Sequence, residues 1–448
     1  MAVLTVTTTA DSGAGSLRAA IAAANDGDVI QFDATVFPAG TTTAILLSST
    51  LTVAKTIVID GDGRVSLDGQ SAIRVISLGT ANKSPHIKSL TILNGSFSNG
   101  AGLLLQGGEP IVSNCTIENC VASTNAGGVY GINNAVATLN NCVIRYNTAG
   151  TSGGGVYANN TSGLTLNNCT ISSNRANTTG GGVHVANTAA ATFNNCAITY
   201  NSVIANGGAL FTNGGTIAFN SSTATGNTTE ATDKTLVGAV INAGTVTLND
   251  SVLEVLRTYG GVSVNISDGV STVGNLRLVA QSGVLATVTI SDGAALTVTT
   301  AATIGAATFT SAGRGYLATA SGVDISAATL NNVVACAYGA GVTSFAINDA
   351  GAIWTADDLT TTILLETRDD GGDWDTLAQA AGGSYVASFN VGTVARAFDG
   401  VRFWVAEISA YWQVVSFVVA NNGGGGAGDS AACWVVENKT ITPNISGV

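Results

Sequence analysis

A period of 27 residues constrains this chain more than any other feature. Taking the cysteine of each Asn-Cys phrase as a register mark, Cys115, Cys142, Cys169 and Cys196 fall at a constant spacing of 27. The glycine phrases keep step, since Val129, Val156 and Val183 follow them at the same interval, with Ala209 next after 26. Fainter copies flank these. "FNSSTATGN" puts Ser222 in the cysteine's place, and "SLTILNG" puts Leu90 there, with Leu103 after Gly102. A fixed period of this size marks a solenoid, in which each repeat buries its apolar face against its neighbours.

The pattern inside one repeat selects the kind of solenoid. In "LTLNNCTISSN", Leu164, Leu166, Cys169 and Ile171 are apolar with threonines between them, and the alternation breaks at Asn167-Asn168. This is strand, corner, strand. "GVYA" supplies a third strand after glycines that tolerate a turn. Three strands and three corners per repeat predict one coil of a parallel β-helix, with coils stacked about 4.8 Å apart. No stretch sustains a 3.6-residue apolar stripe, and the Gly and Asn load opposes helical repeats.

Composition excludes several partners. The net charge is −12 with 16 Lys+Arg among 448 residues, so the basic stripe that a phosphate backbone requires is missing. Apolar runs such as "VVSFVVA" are too short to span a bilayer. The start "MAVLTVTTTA" offers no readable secretory signal. No cofactor or metal motif is evident, because the cysteines form no C-x-x-C pair and the chain has 2 histidines, His86 and His184. The four periodic cysteines are therefore expected to form a buried structural ladder of small hydrophobes. Cys120, Cys336 and Cys433 read as singletons.

Catalysis is not expected. Sugar-cleaving β-helices need paired carboxylates across the scissile bond. Between residues 101 and 229 the charged residues are Glu109, Glu118, Arg145 and Arg175, and Glu118 and Arg145 share one repeat position, which predicts an exposed ion pair between coils. Tyr130, Tyr157 and His184, with Leu210 next, follow the inward valines and are expected to stack outside as an aromatic strip able to contact surface glycans. The asparagines at 114, 141, 168 and 195 and at 147, 174, 201 and 227 read as corner residues that tolerate a left-handed backbone.

Both ends differ from the repeats. "TADSGAGSLRAAIAAANDGDVIQFD" predicts a short amphipathic helix with Ser12 or Ser16 as N-cap, Leu17, Ala20, Ile21 and Ala24 on one face and Asn25-Asp26-Gly27 as its stop. It would cover the first coil, whose edge is otherwise open to pairing. Beyond 230 the repeat loosens, with "VNISDG" at 264–269 and "VTISDG" at 288–293. All five tryptophans (354, 374, 404, 412 and 434) lie past 350, which signals a separate domain. The acidic turn of Asp369, Asp370, Asp373 and Asp375 reads as a solvated hairpin tip in preference to a calcium loop. The expected organisation is an N-terminal strand and cap at 1–33 and a β-helix at 34–340, most regular at 87–230. A β-sandwich at 341–420 and a Gly-rich tether with a terminal strand at 421–448 complete it.

The phrases "TVTTTADSGAGSLRAAIAAANDGDVIQF", "ILLSSTLTVAKTIVIDGDGRVSLDG" and "IKSLTILNG", followed by the "GGGV…NCTISSN" repeats, resemble right-handed parallel β-helix surface proteins related to the polymorphic outer-membrane proteins, often large bacterial adhesins. The resemblance covers about residues 3–230. It departs from the family at Gly15-Ser16-Leu17-Arg18-Ala19-Ala20, where relatives often read Cys-Ser-Leu-Arg-Glu-Ala, and no autotransporter barrel can be read after it. Residues near the C-terminus resemble hairpins of fibronectin-III-like sandwiches. The resemblance implies an all-β fold and an extracellular or cell-surface protein with structural or adhesive work. The alternative is a carbohydrate-active β-helix, such as a lyase, glycosidase or phage-spike-like depolymerase. The slack leash before Cys433, Trp434, Val435 and Val436 suits a strand that pairs with its own sheet or with a second copy, which would make the protein a filament subunit.

Overall fold

The computed structural model describes residues 1–319, apart from 281–283, 285, 292–293 and 305–306, and beyond them only backbone strands between 329 and 435. The chain divides into two compact units, Met1–Val246 with Ser251–Arg257, and Thr247–Asp250 with Thr258–Val448.

The first unit is a parallel β-solenoid, all-β as the alternation predicts. Register follows the repeat: Val129 pairs with Val156 and Val156 with Val183, Leu139 with Leu166 and Leu166 with Phe193, Ile117 with Ile144 and Ile144 with Ile171. Each of these side chains is fully buried, so the core is a set of columns, one residue per coil. Like stacks on like, and Phe193 and Phe219 lie with ring centroids 5.3 Å apart. Coil repetition converts the 27-residue period directly into packing.

Each regular coil contains a fourth strand that the alternation does not predict. Val121–Asn125, Thr148–Ala149, Arg175–Ala176, Ser202–Val203 and Thr228–Thr229 pair with one another and with Ser96–Asn99 as a separate six-stranded sheet. Most of these strands are two residues long, too short for alternation to register. A second correction concerns register after Val183. Its partner is Leu210, and His184 pairs with Phe211, so the valine column continues at 27 through Leu210 and not through Ala209. The missing residue is lost at the next corner, between the Val185–Thr212 pair and the Ala190–Thr216 pair, after a bulge at which Ala186 faces both Asn213 and Gly214.

Two interior ladders hold the corners. The Cys142 N–H donates to Cys169 Sγ at 3.4 Å, the Cys169 N–H to Cys196 Sγ at 3.4 Å, and the Cys196 N–H to Ser222 Oγ at 2.9 Å. Ser222 in turn donates its N–H to Ser251 Oγ at 3.1 Å, so sulfur and hydroxyl do the same work at this position. The cysteines are buried and free, and burial pushes the Cys115 thiol up to about 12. Cys169, hydrogen-bonded to Cys142 and buried, is likewise pushed up to about 12.

The asparagines divide into two kinds. Asn114, Asn141, Asn168 and Asn195 are exposed with φ of 52 to 53°, as expected of left-handed corners. Asn147, Asn174, Asn201 and Asn227 are instead buried and face inward. Asn174 Nδ2 donates to Asn201 Oδ1 at 2.9 Å and to the Ile144 carbonyl at 2.9 Å, while its Oδ1 accepts from both the backbone and side chain of Asn147. Cys120 is the first rung of this column, not a singleton: its N–H donates to Asn147 Oδ1 at 3.0 Å and its Sγ accepts from the Gly95 N–H.

The N-terminal cap forms as expected. The helix α1 spans Leu17–Ala23, Ser16 is its N-cap, and Leu17, Ala20 and Ile21 are buried beneath it. Ser16 Oγ accepts from the Ala19 N–H at 3.1 Å. Arg18 bridges Asp11 and the carbonyls of Ser49 and Thr50. Lys55 Nζ donates to the carbonyls of Ile21, Ala22 and Ala24 at 2.6 to 2.9 Å, which satisfies the helix end that would otherwise be open. The "DGDGR" corner lies inside the strand segment Val58–Asp68, with Asp62 and Gly63 at positive φ.

In the second unit the strand Ser263–Asp268 pairs in parallel with Thr287–Ile290, Val264 against Val288 and Ile266 against Ile290, which matches the two "ISDG" phrases. Parallel pairing continues from Thr308–Thr319 to Thr329–Ala337. Thr362–Arg368, Asp375–Ala381, Gly400–Val405 and Ala410–Val414 form a four-stranded antiparallel sheet. Trp434–Val435 pairs antiparallel with Ser416–Phe417 of the same chain. Asp369, Asp370, Asp373, Cys433 and Val436 lie outside the described residues, as does any side-chain environment of Cys336.

Two expectations follow. Lys55→Met keeps the apolar stem but removes three hydrogen bonds, so amide exchange across residues 17–24 accelerates at least tenfold while the interior columns stay protected. Cys169→Ser leaves the Cys142 amide protected, because Ser222 and Ser251 already fill this position. Cys169→Ala orphans that buried N–H and costs about 1–2 kcal/mol, read by local hydrogen exchange.

Candidate functional site

The predicted aromatic strip exists as a column but not as an open platform. Tyr130 and Tyr157 pack edge to face at 5.4 Å, Tyr157 and His184 stack at 4.6 Å, and His184 lies 5.2 Å from Phe211, which takes the rung assigned to Leu210. Their exposure is 8% for Tyr130, 9% for Tyr157 and 7% for His184, so their ring faces are not available to a sugar. The cause lies in the glycine runs. Gly153, Gly180 and Gly207 have φ of 65 to 73°, and a Cβ on them would come within 2.8 to 3.0 Å of the Cβ atoms of Tyr157, His184 and Phe211. Glycine therefore lets each coil's loop fold back over the outward side of the strand. The last glycine of each run has another constraint: a Cβ on Gly155 would meet Asn174 Nδ2 at 2.9 Å. The "GGG" phrase is thus a lid over one column and a floor over another.

Polar contacts seal this layer. Ser152, Thr179 and their neighbours Asn125 and Asn206 form a line of parallel bridges beside the rings. Ser152 Oγ lies 2.7 Å from Thr179 Oγ1, which lies 2.8 Å from His184 Nδ1, and Asn159 Nδ2 donates to Tyr130 Oη at 3.2 Å. Burial lowers the His184 pKa to about 4. Burial, then the neighbouring Tyr130, raises that of Tyr157. His86, half-buried with Nε2 3.0 Å from Ser113 Oγ, is also lowered, chiefly by burial. The two histidines sit on different columns and share no partner.

The exposed chemistry lies on the next face but one. Glu118 pairs in register with Arg145, and its carboxylate accepts from Arg145 Nε at 2.7 Å, as the shared repeat position predicts. Arg175 pairs with Glu230 at 2.9 Å. Directly after this strand stand Tyr146 and Tyr200, 55% and 71% exposed, both with φ of 56°. Sequence reasoning passed over them, although a signal existed. The residue preceding Asn147, Asn174, Asn201 and Asn227 reads Tyr, Ser, Tyr, Gly, so the position also accepts small residues; the Arg145 guanidinium carbon lies 5.6 Å from the Tyr146 ring centroid. Among the described residues no group of three His, Cys, Asp or Glu side chains converges as a metal site, and no helix is long and apolar enough to cross a membrane.

A family model described as a right-handed β-helix region matches residues 71–275, which contain the regular coils and both ladders. A search of curated proteins finds no match to the chain. The solenoid is a right-handed parallel β-helix, an architecture that fits a surface protein or a carbohydrate-active one.

The buried imidazole makes stability depend on pH. With a folded value of about 4 against the usual 6.5, the unfolded chain binds a proton below pH 6.5 that the folded chain refuses, so stability falls as pH drops from 6.5 towards 4. The loss reaches roughly 2–3 kcal/mol near pH 4.5. His184→Phe, which copies Phe211 on the next rung, is expected to be less sensitive than the parent by that amount when denaturation midpoints at pH 7 and 4.5 are compared.

Proposed function

We propose that the protein is an extracellular structural and adhesive β-helix, in line with its resemblance to the surface proteins related to polymorphic outer-membrane proteins. One observation carries the reading: the reactive groups of the regular coils are committed to holding the coils together. The cysteines cap corners from the interior, His184 is buried and neutral, and Glu118 is tied to Arg145. Outside, the coils present the Asn114–Asn141–Asn168–Asn195 ladder with threonine and serine between, a hydrogen-bonding wall of fixed pitch, and beside it Tyr146 and Tyr200. A protein that displays a surface at a distance needs length and a regular exterior, and both come from repeating a coil.

The test has two arms on the full chain. Immunogold labelling of intact cells that produce it is expected to mark the cell exterior, and label confined to the cytoplasm overturns the reading. Incubation of the purified chain with a panel of soluble polysaccharides is expected to release no reducing ends and no unsaturated sugars. Depolymerisation of any of them would show a carbohydrate-active enzyme instead.

A further inference from the structure

We infer that Tyr146 and Tyr200 form a binding strip for an uncharged, extended polysaccharide running along the solenoid axis. The inference rests on the surface reading above and adds a ligand class and its residues. It begins from backbone conformation. At this corner every coil adopts a left-handed residue: Asn119 with φ 55°, Tyr146 with 56°, Ser173 with 55°, Tyr200 with 56° and Gly226 with 65°. Asn and Gly are the residues that tolerate this conformation, and a bulky aromatic there is an outlier. Strain kept at an exposed position, where the contacts of Tyr146 with Arg145 and of Tyr200 with Gly226 leave the rings largely open to solvent, points to function. Both tyrosines are exposed, so burial does not explain them.

Geometry then selects the ligand. The strands leading to the two tyrosines are in register through Arg145, Ser172 and Thr199, so the rings stand two rungs apart, about 9.6 Å at the spacing of parallel strands. A disaccharide of an extended chain covers that span. The rung between carries Ser173, small enough to leave the gap open, and a Cβ on Gly226 would come within 2.9 Å of Tyr200 Cε1, so the small residue beyond leaves room for that ring. Flat aromatic faces beside hydroxyl and amide groups suit sugar rings, which present apolar C–H faces and polar rims. Of the charges nearby, Arg145 is paired with Glu118 and Arg175 with Glu230, while the Glu254 carboxylate accepts from the Gly226 N–H beside Tyr200, and this favours a neutral glycan over an acidic one. A protein partner would be expected to need a contiguous apolar patch, whereas the register neighbours here are Ser172, Thr199 and Thr225.

The test uses substitutions that the repeat itself supplies. The full chain is screened on an array of neutral linear glycans, and binding to the strongest is measured by calorimetry with oligosaccharides of two to six units. Binding that strengthens from the disaccharide to the tetrasaccharide is expected. Tyr146→Asn with Tyr200→Asn is expected to reduce affinity at least tenfold while the melting temperature holds or rises, because Asn is the better left-handed residue. A purely structural tyrosine would show the reverse, a lower melting temperature. The inference is overturned if no neutral glycan binds, if acidic glycans bind in its place and are released by salt, if the double variant binds equally well, or if these substitutions abolish capture of a protein but not of sugar. Surface labelling with no glycan binding would remove this inference and leave the surface reading standing.

Discussion

A buried primary amide has four hydrogen-bonding sites to satisfy, and in this protein the amide of the next coil and the main chain of the neighbouring coils satisfy them. Asn147, Asn174, Asn201 and Asn227 sit where water does not reach, and the first three each donate to the amide oxygen of the next coil and to a backbone carbonyl of the coil before. An unmet group there costs about 1–3 kcal/mol. A slip of one residue would orphan every rung at once, so the ladder fixes register more strictly than interchangeable apolar columns could. Asn227, at the end, turns its Nδ2 to the carbonyls of Ile198 and Thr225. Cys120, at the other end, substitutes a thiol that accepts from Gly95.

With register fixed, the remaining features follow. Valine, leucine and isoleucine columns fill the interior, the cysteine column satisfies a second corner, and the outer face is free to vary. The glycine runs show how one short phrase meets two demands, since the loop must clear the Asn column on one side and close over aromatic rings on the other. The aromatic rings therefore add a second buried layer outside the strand, and the solenoid is thicker along this face than a single wall of strands.

The fold was legible because stacking identical side chains demands equal spacing, and equal spacing survives in sequence. The cysteine column and the Glu118–Arg145 pair could be read in that way, and the cap at Leu17–Ala23 from its N-cap serine and apolar face. What was not legible depended on contacts that alternation does not encode. Thr148–Ala149 and its equivalents are too short to show a period. Tyr130, Tyr157 and His184 alternate outward as predicted, yet are covered by loops whose path is set by glycine conformation. The Phe211 rung is not legible because the one-residue deletion falls after it, between Val185 and Ala190, where the glycine phrases give no mark. Tyr146 and Tyr200 share their repeat position with Asn119, Ser173 and Gly226, so no steady recurrence of one residue type marks it.

The one-directional amide ladder has a consequence for heredity. Coils that read nearly alike at the level of amino acids, and that differ by whole multiples of one period, are prone to misalign when their genes recombine. An exchange that adds or removes one complete coil leaves every amide with a partner, whereas a length that does not return the chain to the same corner leaves a rung unmet. Such a gene can therefore lengthen or shorten its product in quanta of one coil, about 4.8 Å each, and the reach of the molecule becomes a trait that selection can adjust without inventing a new fold.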